Sequence, residues 1–163
     1  MPASLVLSLL PVASLLFAAA PEPCRLLTPS EVRASLGAAP TGISPDGPNE
    51  DPDLKATSWT CTQEVGTDLL ELTVVEFDSA SAAAGGMVTM MQVTRGTLDA
   101  MQLSPAAGLG DRSAWGASDS GGMWVAIKGR HLLSLTYGHR STPPAAQRES
   151  LRQLAALALG RLQ

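Results

Sequence analysis

The sequence is poor in the side chains that carry most metal and acid–base chemistry. It has two histidines, His131 and His139, in 163 residues. They bracket one predicted strand, so an extended chain holds them about 27 Å apart and they cannot share a metal without a sharp bend. Cysteines are also two, Cys24 and Cys61, with no Cys-Xaa-Xaa-Cys pair, which argues against redox catalysis. Lysine and arginine number 11 against 15 aspartates and glutamates, a net charge of −4. Such a chain has no electrostatic pull on phosphate backbones or anionic membrane surfaces, so no nucleic-acid partner is expected. After residue 20 there is no long apolar run, and no stable membrane span is expected in the mature chain. No internal repeat is present.

The first twenty residues, MPASLVLSLLPVASLLFAAA, lack any charge, and from Leu5 to Ala20 they are almost wholly apolar. That is the pattern of a secretory signal, with Ala18 and Ala20 as the small residues before the cut. The segment departs from the usual signal in having no Lys or Arg, and Pro21 follows the expected cut, which shifts cleavage or leaves a tether. It is short for a span, and Pro11 interrupts it. Lipid attachment at Cys24 would want Gly, Ala or Ser before it, where Pro23 stands. Residues 1–20 are therefore read as a signal peptide, and residues 21–163 as a single α+β domain in the periplasm or secreted. Two cysteines in an exported chain pair, so a Cys24–Cys61 disulfide is expected, worth about 4 kcal/mol on the chain-entropy model.

Local signals give the element order. Thr28-Pro29-Ser30-Glu31 is a capping box with proline at the first helical position, and Gly37 stops that helix. Residues 38–55 hold four prolines and four acids without periodicity and read as a loop. Thr57, Trp59, Cys61 and Gln63 alternate with Ser58, Thr60, Thr62 and Glu64, and Leu70, Leu72 and Val74 continue the pattern after a turn at Gly66-Thr67, which makes a hairpin. Asp78 or Ser79 caps a helix to about Thr94 or Arg95, with a stripe of Ala80, Ala83, Met87, Met90, Met91 and Thr94. Gly85-Gly86 weakens it and predicts a kink or a close contact there. Gly108-Leu109-Gly110-Asp111 turns into a three-stranded meander ending at Tyr137, and Thr142-Pro143 opens a last helix with Leu151, Leu154, Ala155, Ala158 and Leu162 buried. The expected fold is α+β, an antiparallel sheet of about five strands with helices packed on it, in the order α-β-β-α-β-β-β-α.

Catalytic motifs are weak. Gly116-Ala117-Ser118-Asp119-Ser120 resembles a nucleophile elbow only superficially: its fifth residue is not glycine, and a hairpin follows rather than a helix. A serine hydrolase using Ser118 or Ser120 with a histidine is the alternative reading. Glu71 and Glu76 fall on opposite strand faces, which gives glycosidase chemistry no support. Gly108-Xaa-Gly110 lacks the later glycine of a dinucleotide site, and no cofactor is expected. Asp46, Glu50, Asp51 and Asp53 invite a calcium-dependent binder, but their spacing is not that of an EF-hand, and no metal site is assigned. Trp124, Lys128 and Thr136 are the candidate binding surface, because an exposed tryptophan anchors contacts well.

Cys24-Arg25-Leu26-Leu27-Thr28-Pro29-Ser30-Glu31-Val32, the second cysteine Cys61, and Gly108-Leu109-Gly110-Asp111-Arg112-Ser113-Ala114-Trp115 together resemble small bacterial envelope proteins of unknown function, best represented by actinobacterial lipoproteins. The resemblance covers most of residues 24–162. It implies an α+β domain similar to the fold of the photosystem accessory protein PsbP, and it supplies no catalytic residue. Unlike those lipoproteins, this chain lacks a lipobox. The expectation is an exported, non-catalytic module that binds a protein or an envelope component.

Overall fold

The computed structural model describes residues 20–97, 101–138 and 144–162. The apolar leader up to residue 19, His139 and the Thr142-Pro143 helix start lie outside these residues. A single 3₁₀ turn at Pro23–Arg25 leads into α1 (Pro29–Leu36), followed by β1 (Gly42–Asp51), β2 (Ala56–Val65), β3 (Asp68–Phe77), α2 (Ala80–Thr97), β4 (Ser104–Ala106), β5 (Arg112–Ser118), β6 (Gly121–Lys128), β7 (His131–Gly138) and α3 (Pro144–Arg161). Among the described residues seven strands form one antiparallel sheet in the order β1-β2-β3-β7-β6-β5-β4.

The α+β class stands, but seven strands replace the expected five, and each group of strands gains one. The first addition is β1, inside the segment read as a loop. Nine of its ten residues are exposed, so no apolar alternation marks it. It is an edge strand bonded only to β2, and edges tolerate proline because one row of amides needs no partner. Pro45 and Pro48 sit there, and the register shifts between Asp46 and Asn49. The second addition, β4, is three residues long and forms the opposite edge.

Strand alternation gives the sheet two faces. One carries Cys61, Leu72, Val74, Trp124, Leu133 and Leu135, and α1 and α3 pack on it. The other carries Phe77, Ala114, Val125, Ile127 and Leu132 beneath Ala83 and Met87 of α2. The helices therefore lie on both faces. In α2 a Cβ on Gly86 would come within 2.5 Å of the Phe77 ring, so the glycine lets helix and ring approach. The stripe expected of α3 is buried as read: Leu151, Leu154, Ala155, Ala158 and Leu162 all face the core.

The Gly-Leu-Gly-Asp motif is a structural pin. Gly110 has φ +55°, and a Cβ there would lie 2.0 Å from the Ile127 carbonyl oxygen. With the glycine, Asp111 N donates to that oxygen at 2.7 Å, and the Asp111 carboxylate accepts from Gly129 N at 2.8 Å. Leu109 is buried in the core beside α3. The motif thus fixes the entry to β5 against the β6–β7 turn.

The amino-terminal segment is held twice. Cys24 and Cys61 form a disulfide that ties the 3₁₀ turn to β2. At α1, Glu31 N donates to Thr28 Oγ1 and Thr28 N donates to a Glu31 oxygen, which completes the expected capping box. The Arg161 guanidinium of α3 then donates to both Glu31 oxygens and to the Leu26 carbonyl. Hydrogen bonds from Arg161, then from the Thr28 amide, lower the Glu31 carboxyl to about 2. A depressed carboxylate stabilises the fold above its unfolded pKa, near 4.5, and that contribution disappears as pH falls through about 2. Solvent screening at these surface groups reduces it. Urea unfolding should therefore find Arg161→Gln less stable than the protein at pH 7, with the gap closing toward pH 2. A gap independent of pH would show that the ion pair is not its source.

Candidate functional site

The surface expected at Trp124, Lys128 and Thr136 does not exist as one patch. Trp124 is 1% exposed, buried beneath α3. Its ring lies 5.3 Å from that of Trp115, and its Nε1 donates to the Arg148 carbonyl at 3.0 Å. The Arg148 guanidinium carbon stands 5.6 Å from the Trp124 ring centroid and 6.0 Å from that of Trp115, a cation–π arrangement. Lys128 shares that face, and its Nζ donates to the carbonyls of Leu159 and Leu162, a cation capping the carboxyl end of α3. Thr136 pairs with Met123 and points to the other face. The reason is register: the two-residue turn at Gly129-Arg130 pairs Lys128 with His131, so even-numbered residues of β6 share a face with odd-numbered residues of β7.

Among the described residues the other expected sites are not assembled. The Ser118 and Ser120 hydroxyls bond each other at 3.2 Å in the β5–β6 turn. Ser118 pairs with Gly121, which pairs with Gly138, whereas His131 is at the far end of β7, about 23 Å along the strand; His139, the other histidine of that reading, lies outside the described residues. The acidic segment is extended along β1 and its turn rather than wound into a loop. Asp46 accepts from the Asn49 amide group, and Asp51 accepts from the backbone of Asp53 and Leu54. Among the described residues no three metal-ligating side chains converge.

The register instead builds a site that residue-by-residue reading missed. Glu50 pairs with Thr57, Thr57 with Glu76, Glu76 with His131, and His131 with Lys128. These residues form one row across five strands, on the face that Trp59 shares. A cleft of about 570 Å³ lies at this end of the sheet, lined by Glu50, Thr57, Trp59, Glu76, Asp78 and Arg130 among others. A second cleft, about 330 Å³, borders Trp59 from the other side and is lined by Pro21, Glu22, Arg25, Pro45 and Asp46. Trp59 is half-buried and common to both.

Charge in the row is organised. Arg130 holds Glu76 at 2.5 Å, and His131 Nε2 stands 3.8 Å from the same carboxylate. His131 is 8% exposed. Burial lowers its pKa, and Glu76 only partly offsets that, so the imidazole is neutral at pH 7. The cleft thus offers an aromatic wall, a hydroxyl, and carboxylates in excess of cations. Such a set can stack against a planar or apolar group and pair with a charged one.

No family model matches the chain, and no curated protein sequence matches it. Among solved structures, the extracellular domain of PknH from Mycobacterium tuberculosis is similar, with a TM-score of 0.54 at 12% identity, over 84% of this chain and 92% of that one. At that identity the likeness is one of fold: the described chain shares the α+β architecture of that extracellular domain.

Proposed function

We propose that the protein is an exported, non-catalytic binding module whose ligand site is the paired cleft around Trp59. The observation that carries this reading is the cleft itself, walled by a half-buried tryptophan. Export is supported by the apolar leader and by the disulfide, which persists in oxidising compartments. The short motifs shared with small envelope proteins favour the same compartment, and among the described residues no helix is long and apolar enough to cross a membrane. A non-catalytic role is supported by the departure of the Ser118–Ser120 turn from a nucleophile elbow and by the use of Lys128, Glu31 and Asp111 as structural clamps.

The test is site-specific photocrosslinking in intact cells. A photoreactive residue at Lys55, on the cleft rim, should capture an envelope component, and the same residue at Thr62, on the opposite face, should not. Trp59→Ala should abolish the capture. Equal labelling from both positions, or none from Lys55, would remove the cleft as the binding site. Fluorophosphonate labelling of Ser118 or Ser120 would overturn the non-catalytic reading.

A further inference from the structure

We propose that the Cys24–Cys61 bond is a thiol-exchange site entered from the second cleft, where a dithiol reductant opens the bond through Cys24 and releases the wall of that cleft. The bond is the substrate here, not a catalyst. The inference does not rest on any ligand of the clefts. Access to the two sulfurs is one-sided. Cys24 is half-buried and lines the cleft of about 330 Å³ with Pro21, Arg25 and Trp59. Cys61 has no exposed surface. A thiolate entering the cleft therefore attacks Cys24 Sγ. A new S–S bond forms to Cys24, the old one breaks, and Cys61 leaves as the thiolate. The second thiol of the reductant, as its thiolate, then attacks the reductant's own sulfur in the mixed disulfide and frees Cys24. The two cysteines gain two electrons and two protons, and the dithiol loses the same and closes to a disulfide.

Gln63 is an independent second feature. It is 1% exposed, and among the described residues its Oε1 has no hydrogen-bond partner. A buried amide left half-satisfied destabilises a fold, and an apolar side chain would fill the place without that loss. Its Nε2 lies 3.9 Å from Cys61 Sγ and donates toward it. Such a donor gains little from the weakly accepting sulfur of a disulfide and much more from a thiolate. It stands at the sulfur that must leave, and a stabilised thiolate leaves faster. The opening can also stay local. From Leu26 onward the chain is held by Arg161 on the Leu26 carbonyl, by buried Leu27 and by the capping box of α1. Ahead of Leu26 the disulfide ties the segment to β2, whereas the Arg25–Glu22 ion pair lies within the segment itself. Breaking the bond therefore loosens residues 21–25, which wall the second cleft, and leaves the sheet folded.

The test measures reduction of the folded chain by dithiothreitol and by a Cys-Xaa-Xaa-Cys oxidoreductase, at urea concentrations below the unfolding transition. The rate should be unchanged by urea, and whichever reductant is faster per thiolate identifies the source as a small molecule or a protein. Reduced glutathione, quenched in acid and mapped by peptic digestion and mass spectrometry, should be found on Cys24 at least about tenfold more often than on Cys61. Gln63→Met keeps the length and removes the donor, so reduction should slow by about tenfold with the melting temperature of the oxidised protein no lower. The first two readouts use the unsubstituted chain, so they decide the matter even if that variant folds poorly. Reduction that rises with urea in step with global unfolding overturns the inference, as does glutathione shared equally between the two cysteines. An unchanged rate in Gln63→Met overturns the role given to its amide. Crosslinking from Lys55 tests the binding-module reading separately, because Lys55 borders the other cleft and takes no part in the exchange.

Discussion

Trp124→Ala should destabilise the protein by about 4 kcal/mol, the largest effect expected of any single substitution considered for this chain. The indole is 1% exposed and sits in register between Trp115 on β5 and Leu135 on β7. Truncation empties a volume that the surrounding strands cannot close, because both neighbours are fixed by backbone pairing. It also leaves the Arg148 carbonyl without the indole donor that anchors the start of α3 to the sheet. For a domain of this size the melting temperature should drop by roughly 10–20 °C. Trp124→Phe keeps most of the apolar contact but loses the hydrogen bond, and about 1–2 kcal/mol is expected. The near-ultraviolet dichroism from two indoles 5.3 Å apart should vanish in both variants, whereas the far-ultraviolet signal should survive. A loss below about 1 kcal/mol in the alanine variant would mean that the ring is not the keystone of this face.

Removing the disulfide is expected to cost about as much, near 4 kcal/mol for a loop of 37 residues on the chain-entropy model. Cys61 has no exposed surface, so Cys61→Ala with Cys24→Ser is the cleaner variant, since a serine at position 61 would bury a hydroxyl. The cost should have a local component. The 3₁₀ turn that lines the second cleft beside Trp59 is held by this bond and by contacts to the first three strands. Hydrogen exchange should accelerate first at residues 22–27, with the meander β5–β7 protected until global unfolding. If exchange rose evenly across the sheet, the bond would act on the unfolded chain alone.

Signals that depend on a few neighbouring residues were legible in the sequence. The capping box at Thr28 and Glu31, the β2–β3 hairpin and its two faces, the α2 cap at Ser79 and the buried stripe of α3 all rest on spacing within one element. β1 was not legible, because an edge strand with nine exposed residues is held by backbone bonds to β2 and carries no side-chain alternation. β4 was too short to show a period. Trp124 and Thr136 were put on one face because strand parity was followed within each strand but not across the turn, where the pairing of Lys128 with His131 reverses it. The candidate site was hidden for a related reason. Glu50, Thr57, Glu76 and His131 are spread over 82 positions of sequence and meet only through three strand registers, two of them long-range. No motif scan sees such a row, and the composition shows only a mild excess of acid.

The two outer strands bear on how the molecule behaves in a crowded compartment. One flank of the sheet is a proline-interrupted, acid-bearing ribbon with a register shift, and the other is three residues long with Pro105 at its centre. Neither offers a neighbouring chain a long row of free amides, so two molecules that collide have no template on which to zip together. Self-association by strand addition is discouraged at both edges.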